Sequence, residues 1–103
     1  MEIAFEKEDL KKLYYEGKPG DKQHRFQPEI VKKYVKVVNI LDSVDKPSDL
    51  YRYRSLHYEK LSGDKAGLES VRLNDQYRLE IKVIAEGSVH ICSIIELSNH
   101  YKK

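Results

Sequence analysis

The sequence predicts an α+β fold, an antiparallel β-sheet of three or more strands packed on N-terminal helices. Apolar residues in the N-terminal half recur at three- and four-residue spacing, the period of one helix face. Beyond residue 69 they alternate with polar ones at period two, as in strands with one dry face. A chain of 103 residues buries roughly two thirds of its unfolded surface on folding, enough for one core and no second, so residues 1–103 are expected to form a single domain.

Residues 2 to 5 read as a short strand. A helix follows near 8 to 16, where Leu10, Leu13 and Tyr14 share a face and Gly17 stands ready to end it. KPGDKQHR, residues 18 to 25, is a charged Pro-Gly loop. Pro28 suits the first turn of a second helix, whose Ile30, Val31, Tyr34, Val35, Val37, Val38 and Leu41 make one broad apolar face. Lys32, Lys33, Lys36 and Asn39 fall on its other side and read as a solvated face. SVDKPSDL breaks the helix, with Ser48 as N-cap of a short helical turn at 49 to 53. In ESVRLN, Val71 and Leu73 alternate with Ser70, Arg72 and Asn74; in YRLEIKV, Tyr77, Leu79, Ile81 and Val83 alternate with Arg78, Glu80 and Lys82. NDQ (74 to 76) is the hairpin turn between them, and AEG (85 to 87) leads into a third strand, VHICSIIEL. The long helix is expected to cover the apolar face of this meander.

Composition excludes several classes. No run approaches the roughly 18 apolar residues of a membrane span, and MEIAFEKEDLKK lacks the apolar stretch of a signal peptide, so a cytoplasmic protein is expected. The single cysteine, Cys92, rules out an internal disulfide and reads as a structural thiol. Histidines 24, 57, 90 and 100 show no metal-ligand spacing, so neither metal nor other cofactor is expected. A net charge of +2 says little, but four of the five arginines, Arg52, Arg54, Arg72 and Arg78, fall between residues 52 and 78. Such clustering favours a local anion site, because the guanidinium fork suits phosphate. The competing reading is that these arginines balance Glu59, Asp64, Glu69, Asp75 and Glu80.

Hairpin geometry places Arg72 and Arg78 on the same polar face, where they could grip one phosphate together. If the last strand keeps its alternation, His90, Cys92, Ile94, Glu96, Ser98 and His100 share a parity that aims His100 at the arginine side, although Ile94 breaks the pattern. A histidine beside fixed cations suits RNA phosphodiester cleavage: one group takes the 2′-hydroxyl proton and arginines neutralise the charge gathering at phosphorus. Tyr101, Lys65 and Glu59 are the candidates for protonating the leaving 5′ oxygen. Against each stands a structural role, as edge of the core, turn solvation or ion pairing. His24 lies in a loop, and His57 and His90 read as packing or surface histidines.

The run LSGDKAGLESVRLNDQYRLEI, with SLHYEKL before it and His100 at the end, resembles the HigB-type toxins of the RelE/ParE superfamily, the plasmid-maintenance killer proteins. The likeness spans nearly the whole chain in element order, and its specific part is residues 56 to 82. It implies a RelE-like fold and a ribosome-dependent mRNA endonuclease that needs no metal. It also implies a helix-turn-helix, HigA-like antitoxin in a toxin–antitoxin hetero-oligomer, with the ribosome and mRNA as further partners. By position, Arg78 matches the family's phosphate-stabilising arginine, His100 its C-terminal histidine, Tyr77 the adjoining aromatic, and Gly63, Asp64 and Lys65 its turn. Ser62, Asn74, Ser98 and Asn99 depart from the pattern, with Arg72 and Tyr101 as replacements for the missing charge and the displaced tyrosine. The expected catalytic set is therefore Arg78, His100 and Tyr101, and the expected RNA- or phosphate-binding set is Lys60, Lys65, Arg72 and Asn74. The same superfamily implies two alternatives: a ParE-like gyrase inhibitor without nuclease activity, and a degenerate toxin that only binds its antitoxin.

Overall fold

The computed structural model describes residues 1–17 and 26–99. The loop at 18 to 25, with His24 and Arg25, lies outside that range, as do His100 and Tyr101. In chain order the elements are strand β1 (Glu2–Phe5), helix α1 (Glu8–Glu16), helix α2 (Pro28–Ser43) and two 3-10 turns (Pro47–Arg52 and Arg54–Leu56). Then come strand β2 (Glu59–Lys60), a third 3-10 turn (Gly63–Lys65), and strands β3 (Glu69–Arg72), β4 (Tyr77–Glu86) and β5 (Val89–Asn99).

Local chemistry accounts for the boundaries. Gly17 ends α1 in the left-handed region (φ 67°), its N–H donating to the Leu13 carbonyl at 3.1 Å. α2 opens on Pro28 and buries Ile30, Val31, Tyr34, Val37, Val38 and Leu41, the face its sequence predicts, while Val35 is only half-buried. The Tyr34 hydroxyl donates to the Leu10 carbonyl at 2.7 Å and ties the helices together. Ser48 is not an N-cap: the turn begins at Pro47, with Lys46 in the capping position and no side-chain cap. Proline presets the first residue of that turn, leaving Ser48 inside it.

The sheet order is β1-β5-β4-β3-β2. β3, β4 and β5 form the antiparallel meander; β1 adds to the far edge parallel to β5, and β2 closes the other edge. The sheet is therefore mixed, because the two helices between β1 and the rest allow the crossover that parallel pairing needs. Asn74 holds the β3–β4 turn, its Oδ1 accepting the N–H groups of Gln76 and Tyr77 at 2.9 and 2.7 Å. β4 runs on to Glu86, so the second turn is shorter than AEG, and Gly87 supplies its positive φ of 63°.

The break at Ile94 has a structural cause. Glu80 pairs with Glu96 and Ile81 with Ile94, so Ile95 is left over as a β-bulge. The extra residue lets Cys92, Ile94 and Leu97 all enter the core beside Val71, Leu79 and Ile81. The expectation that His90, Cys92 and Ile94 share the arginine face is thus corrected, and of the described residues in that set only Glu96 and Ser98 lie on it. Helices and apolar strand residues form one buried cluster on one side of the sheet, leaving a polar face on the other.

Candidate functional site

That polar face carries two rows of residues set by strand register. Glu59, Ser70, Glu80 and Glu96 lie in line across β2, β3, β4 and β5, and Arg72, Arg78 and Ser98 make the next row. Over them opens a cavity of about 560 Å³ whose lining includes His57, Glu59, Lys65, Arg78, Glu80 and Ser98. Glu80 is buried, and its carboxylate accepts from the Lys65 ammonium, which the Gly63–Lys65 turn delivers. The positive φ of Gly63 (66°) makes that turn available to few other residues.

Arg78 is half-buried, and its Nη1 donates to the Asn74 carbonyl at 2.9 Å. Among the described residues it has no carboxylate partner. Within the described residues its charge is uncompensated by an ion pair in a partly desolvated setting, a condition that favours binding an anion. Lys65 differs, since Glu80 already takes its charge.

Arg72 sits opposite Arg78 in the register, but the two do not converge on one cavity. Like charges directly across a ladder repel. Arg72 turns to the exposed Asp75 and lines a separate cavity of about 370 Å³ beside α2, with Lys33, Lys36 and Asn74. The shared grip on one phosphate is corrected accordingly; Arg72 pairs with Asp75 as the ion-pair reading has it, Arg52 pairs instead with Asp49, and Arg78 has no carboxylate partner among the described residues. Lys60 is exposed on the edge strand opposite Glu69 and does not line the Arg78 cavity. The Asn74 Oδ1 is committed to the turn. Tyr77 packs edge-on against Phe26, with ring centroids 5.6 Å apart, a structural placement. Burial, reinforced by the Glu69 charge, pushes the Cys92 thiol up to about 12, which leaves it unreactive. The residue that the sequence reading set aside is His57. It caps the Arg54–Leu56 turn at φ 44° and ψ 50°, the only non-glycine residue at positive φ among those described. A side chain held there costs about 1–2 kcal/mol, and such strain concentrates at functional sites. A histidine in an aperiodic loop offers no pattern from which to infer this.

Among the described residues no group of three or more His, Cys, Asp or Glu side chains could hold a metal ion, and no helix is long and apolar enough to cross a membrane. Residues 3–92 match the family model described as the RelE-like toxin of type II toxin-antitoxin system HigB. The chain is 32% identical over 80 residues to the toxin HigB-1 of Vibrio cholerae serotype O1, covering 77% of this chain and 80% of that one. Among solved structures it is similar to a YoeB/ParE toxin from Agrobacterium tumefaciens, with TM-score 0.58, 20% identity, and 98% of this chain and 100% of that one covered. It is similar also to the YoeB-YefM complex from Staphylococcus aureus, with TM-score 0.58, 24% identity and 98% of both chains covered. At these identities the two structures speak for the fold alone.

Proposed function

The chain belongs to the RelE-like HigB toxins of type II toxin–antitoxin systems, and on that premise we propose that it is an endoribonuclease that cuts mRNA in the ribosomal A site with its own side chains. The observation that carries this reading is Arg78, a partly desolvated guanidinium facing an open polar cavity with, among the described residues, a neutral carbonyl and no carboxylate as partner. A phosphodiester gathers negative charge as the 2′ oxygen attacks phosphorus, and a fixed cation there stabilises the transition state more than the ground state. Lys65 holds Glu80, keeping the cavity floor in place. His100 is the proposed base for the 2′-hydroxyl proton, with Tyr101 beside it in sequence. Lys60, Arg72 and Asn74 serve binding of the RNA outside the cavity rather than the chemistry. Lys33 and Lys36, beside Arg72, extend the same charge.

The partner proposed for this chain is an antitoxin of helix-turn-helix type, which silences it by covering the cationic cavity or by adding bulk that bars the ribosome. Antitoxin-free induction is then expected to stop growth, and co-expression to restore it. Mapping transcript ends after induction tests the activity: new ends within translated codons support the nuclease. Intact messages with gyrase-linked DNA damage select the ParE-like alternative, and normal growth with verified soluble protein removes the toxin reading. His100→Gln is expected to keep ribosome co-sedimentation while single-turnover cutting falls by about a hundredfold or more, because the amide hydrogen-bonds but does not titrate near neutral pH. Equal loss of binding and cutting would make His100 a substrate holder.

A further inference from the structure

The cavity beside α2 has a chemistry that RNA binding does not use up. Its rim carries three cations, Lys33 and Lys36 from the exposed side of α2 and Arg72 from β3, against the single carboxylate of Asp75. Its floor is aliphatic: Val37 and Ile40 come from α2, Leu56 from the Arg54–Leu56 turn, and Leu73 from the residue after β3. Lys33, Lys36, Val37 and Ile40 stand three and four residues apart, so one stripe of the helix supplies both charge and floor. RNA phosphates would meet the cations and leave the floor idle, because unstacked bases are held on aromatic side chains and no aromatic residue among those described lines this cavity.

We propose that the cavity docks an acidic segment of the antitoxin, with an aliphatic side chain on the floor and carboxylates on the two lysines, an assignment that rests on the antitoxin reading above. Such a segment uses both parts of the cavity. The volume of about 370 Å³ lies near the lower end of the range for ligand pockets, room for a side chain and its flanking groups rather than for a folded domain. Arg72 already meets the exposed Asp75, a carboxylate of this chain seated at the same rim. Lys33 and Lys36 have no carboxylate partner among the described residues, and they are the charges a partner's acids neutralise. Silencing then does not require entry into the Arg78 cavity. The segment takes the cations that guide the RNA, so antitoxin and RNA exclude one another by charge.

The test has two arms. In the first, isotope-labelled toxin is titrated with a short blocked peptide of glutamates around a central leucine and followed by nuclear magnetic resonance. The amides of Lys36, Ile40, Leu56 and Leu73 are expected to shift, and the same peptide with serine at its centre is expected to bind about tenfold more weakly, because it loses the floor. Equal binding of the two peptides overturns the proposal, as do shifts confined to the Arg78 cavity or no shifts at all. An oligouridylate of equal charge that binds here more tightly than the leucine peptide overturns it in favour of an RNA groove. In the second arm, purified antitoxin is titrated against wild type, Ile40→Ser, and Lys33→Glu combined with Lys36→Glu. Each variant whose circular dichroism matches wild type is expected to bind about tenfold more weakly or worse. Both lysines are exposed, so the charge-reversed variant tests the site even where Ile40→Ser fails to fold. Wild-type affinity in either folded variant overturns the docking site. A wild type that does not bind the antitoxin sinks the antitoxin reading instead, a result distinct from failure of this site alone.

Discussion

At the residue scale, two arginines that look alike in sequence have different surroundings. Arg72 and Arg78 occupy the same face by register, yet one spends its charge on Asp75 and the other, among the described residues, meets a carbonyl and no carboxylate. Arg78→Ala is expected to leave the fold intact, since its side chain lies off the apolar face, and to slow cutting by about a hundred- to a thousandfold, the range for losing one preorganised donor. Arg72→Ala is expected to slow it less than about tenfold and to change stability by under about 0.5 kcal/mol, because its ion pair is with an exposed carboxylate. Parallel single-turnover assays and denaturant titrations of the two variants check both figures. The face of each arginine was legible from alternation, whereas the partner was not: whether a guanidinium finds a carboxylate depends on rotamers and a turn that pattern does not encode.

At the element scale, β5 is where periodicity and structure part. The alternation stops at Ile94 because Ile95 is inserted as a bulge, and the insertion puts Leu97 inside and Glu96 outside. Deleting Ile95 would remove the bulge and leave a regular ladder with Ile94 inside, Glu96 outside and Leu97 inside, because Ile94 and Glu96 already pair with the adjacent Ile81 and Glu80. The deletion variant is therefore expected to fold, losing no more than about 3 kcal/mol, the usual ceiling for a single change that neither buries a charge nor empties the core. Circular dichroism and urea unfolding of the variant decide it, and an unfolded variant would mean that the flanking pairs do not hold β5 in register. The bulge also carries Ser98 to the Arg78 side, so the same insertion that completes the core shapes one wall of the cavity.

At the scale of the whole molecule, the core holds several acidic protons tightly. Burial raises Tyr34 well above the ordinary tyrosine range, with the neighbouring Tyr14 adding to it; burial and then the hydrogen bond to Glu69 raise Tyr58. Burial also carries Cys92 to about 12. In each case the folded state holds its proton more firmly than the unfolded chain. Stability is therefore full below the unfolded-state values, about 8.5 for a thiol and about 10 for a phenol, and falls as pH rises through them. Melting temperatures are expected to drop between about pH 8 and about pH 10.5, and Cys92 should resist alkylation near pH 8 until the protein unfolds. Tyr34→Phe should lose about 1 kcal/mol near neutral pH, the worth of its bond to the Leu10 carbonyl, and show a shallower alkaline fall.

The sequence by itself determined the helices, the meander and the dry faces of α1, α2, β3 and β4, because amphipathic period, Gly17 and Pro28 are local signals that act within a few residues of where they are written. The turn at Asn74 is of the same kind, an Asx side chain bonding to its own backbone. Only the tertiary structure decided that β1 joins β5 in parallel, that Ile95 bulges, that Arg72 and Arg78 serve separate cavities, and that His57 stands beside Arg78. Each of these depends on which distant strand or turn arrives at a given place, and on how charges with more than one available partner divide them, energies that no single stretch of chain contains.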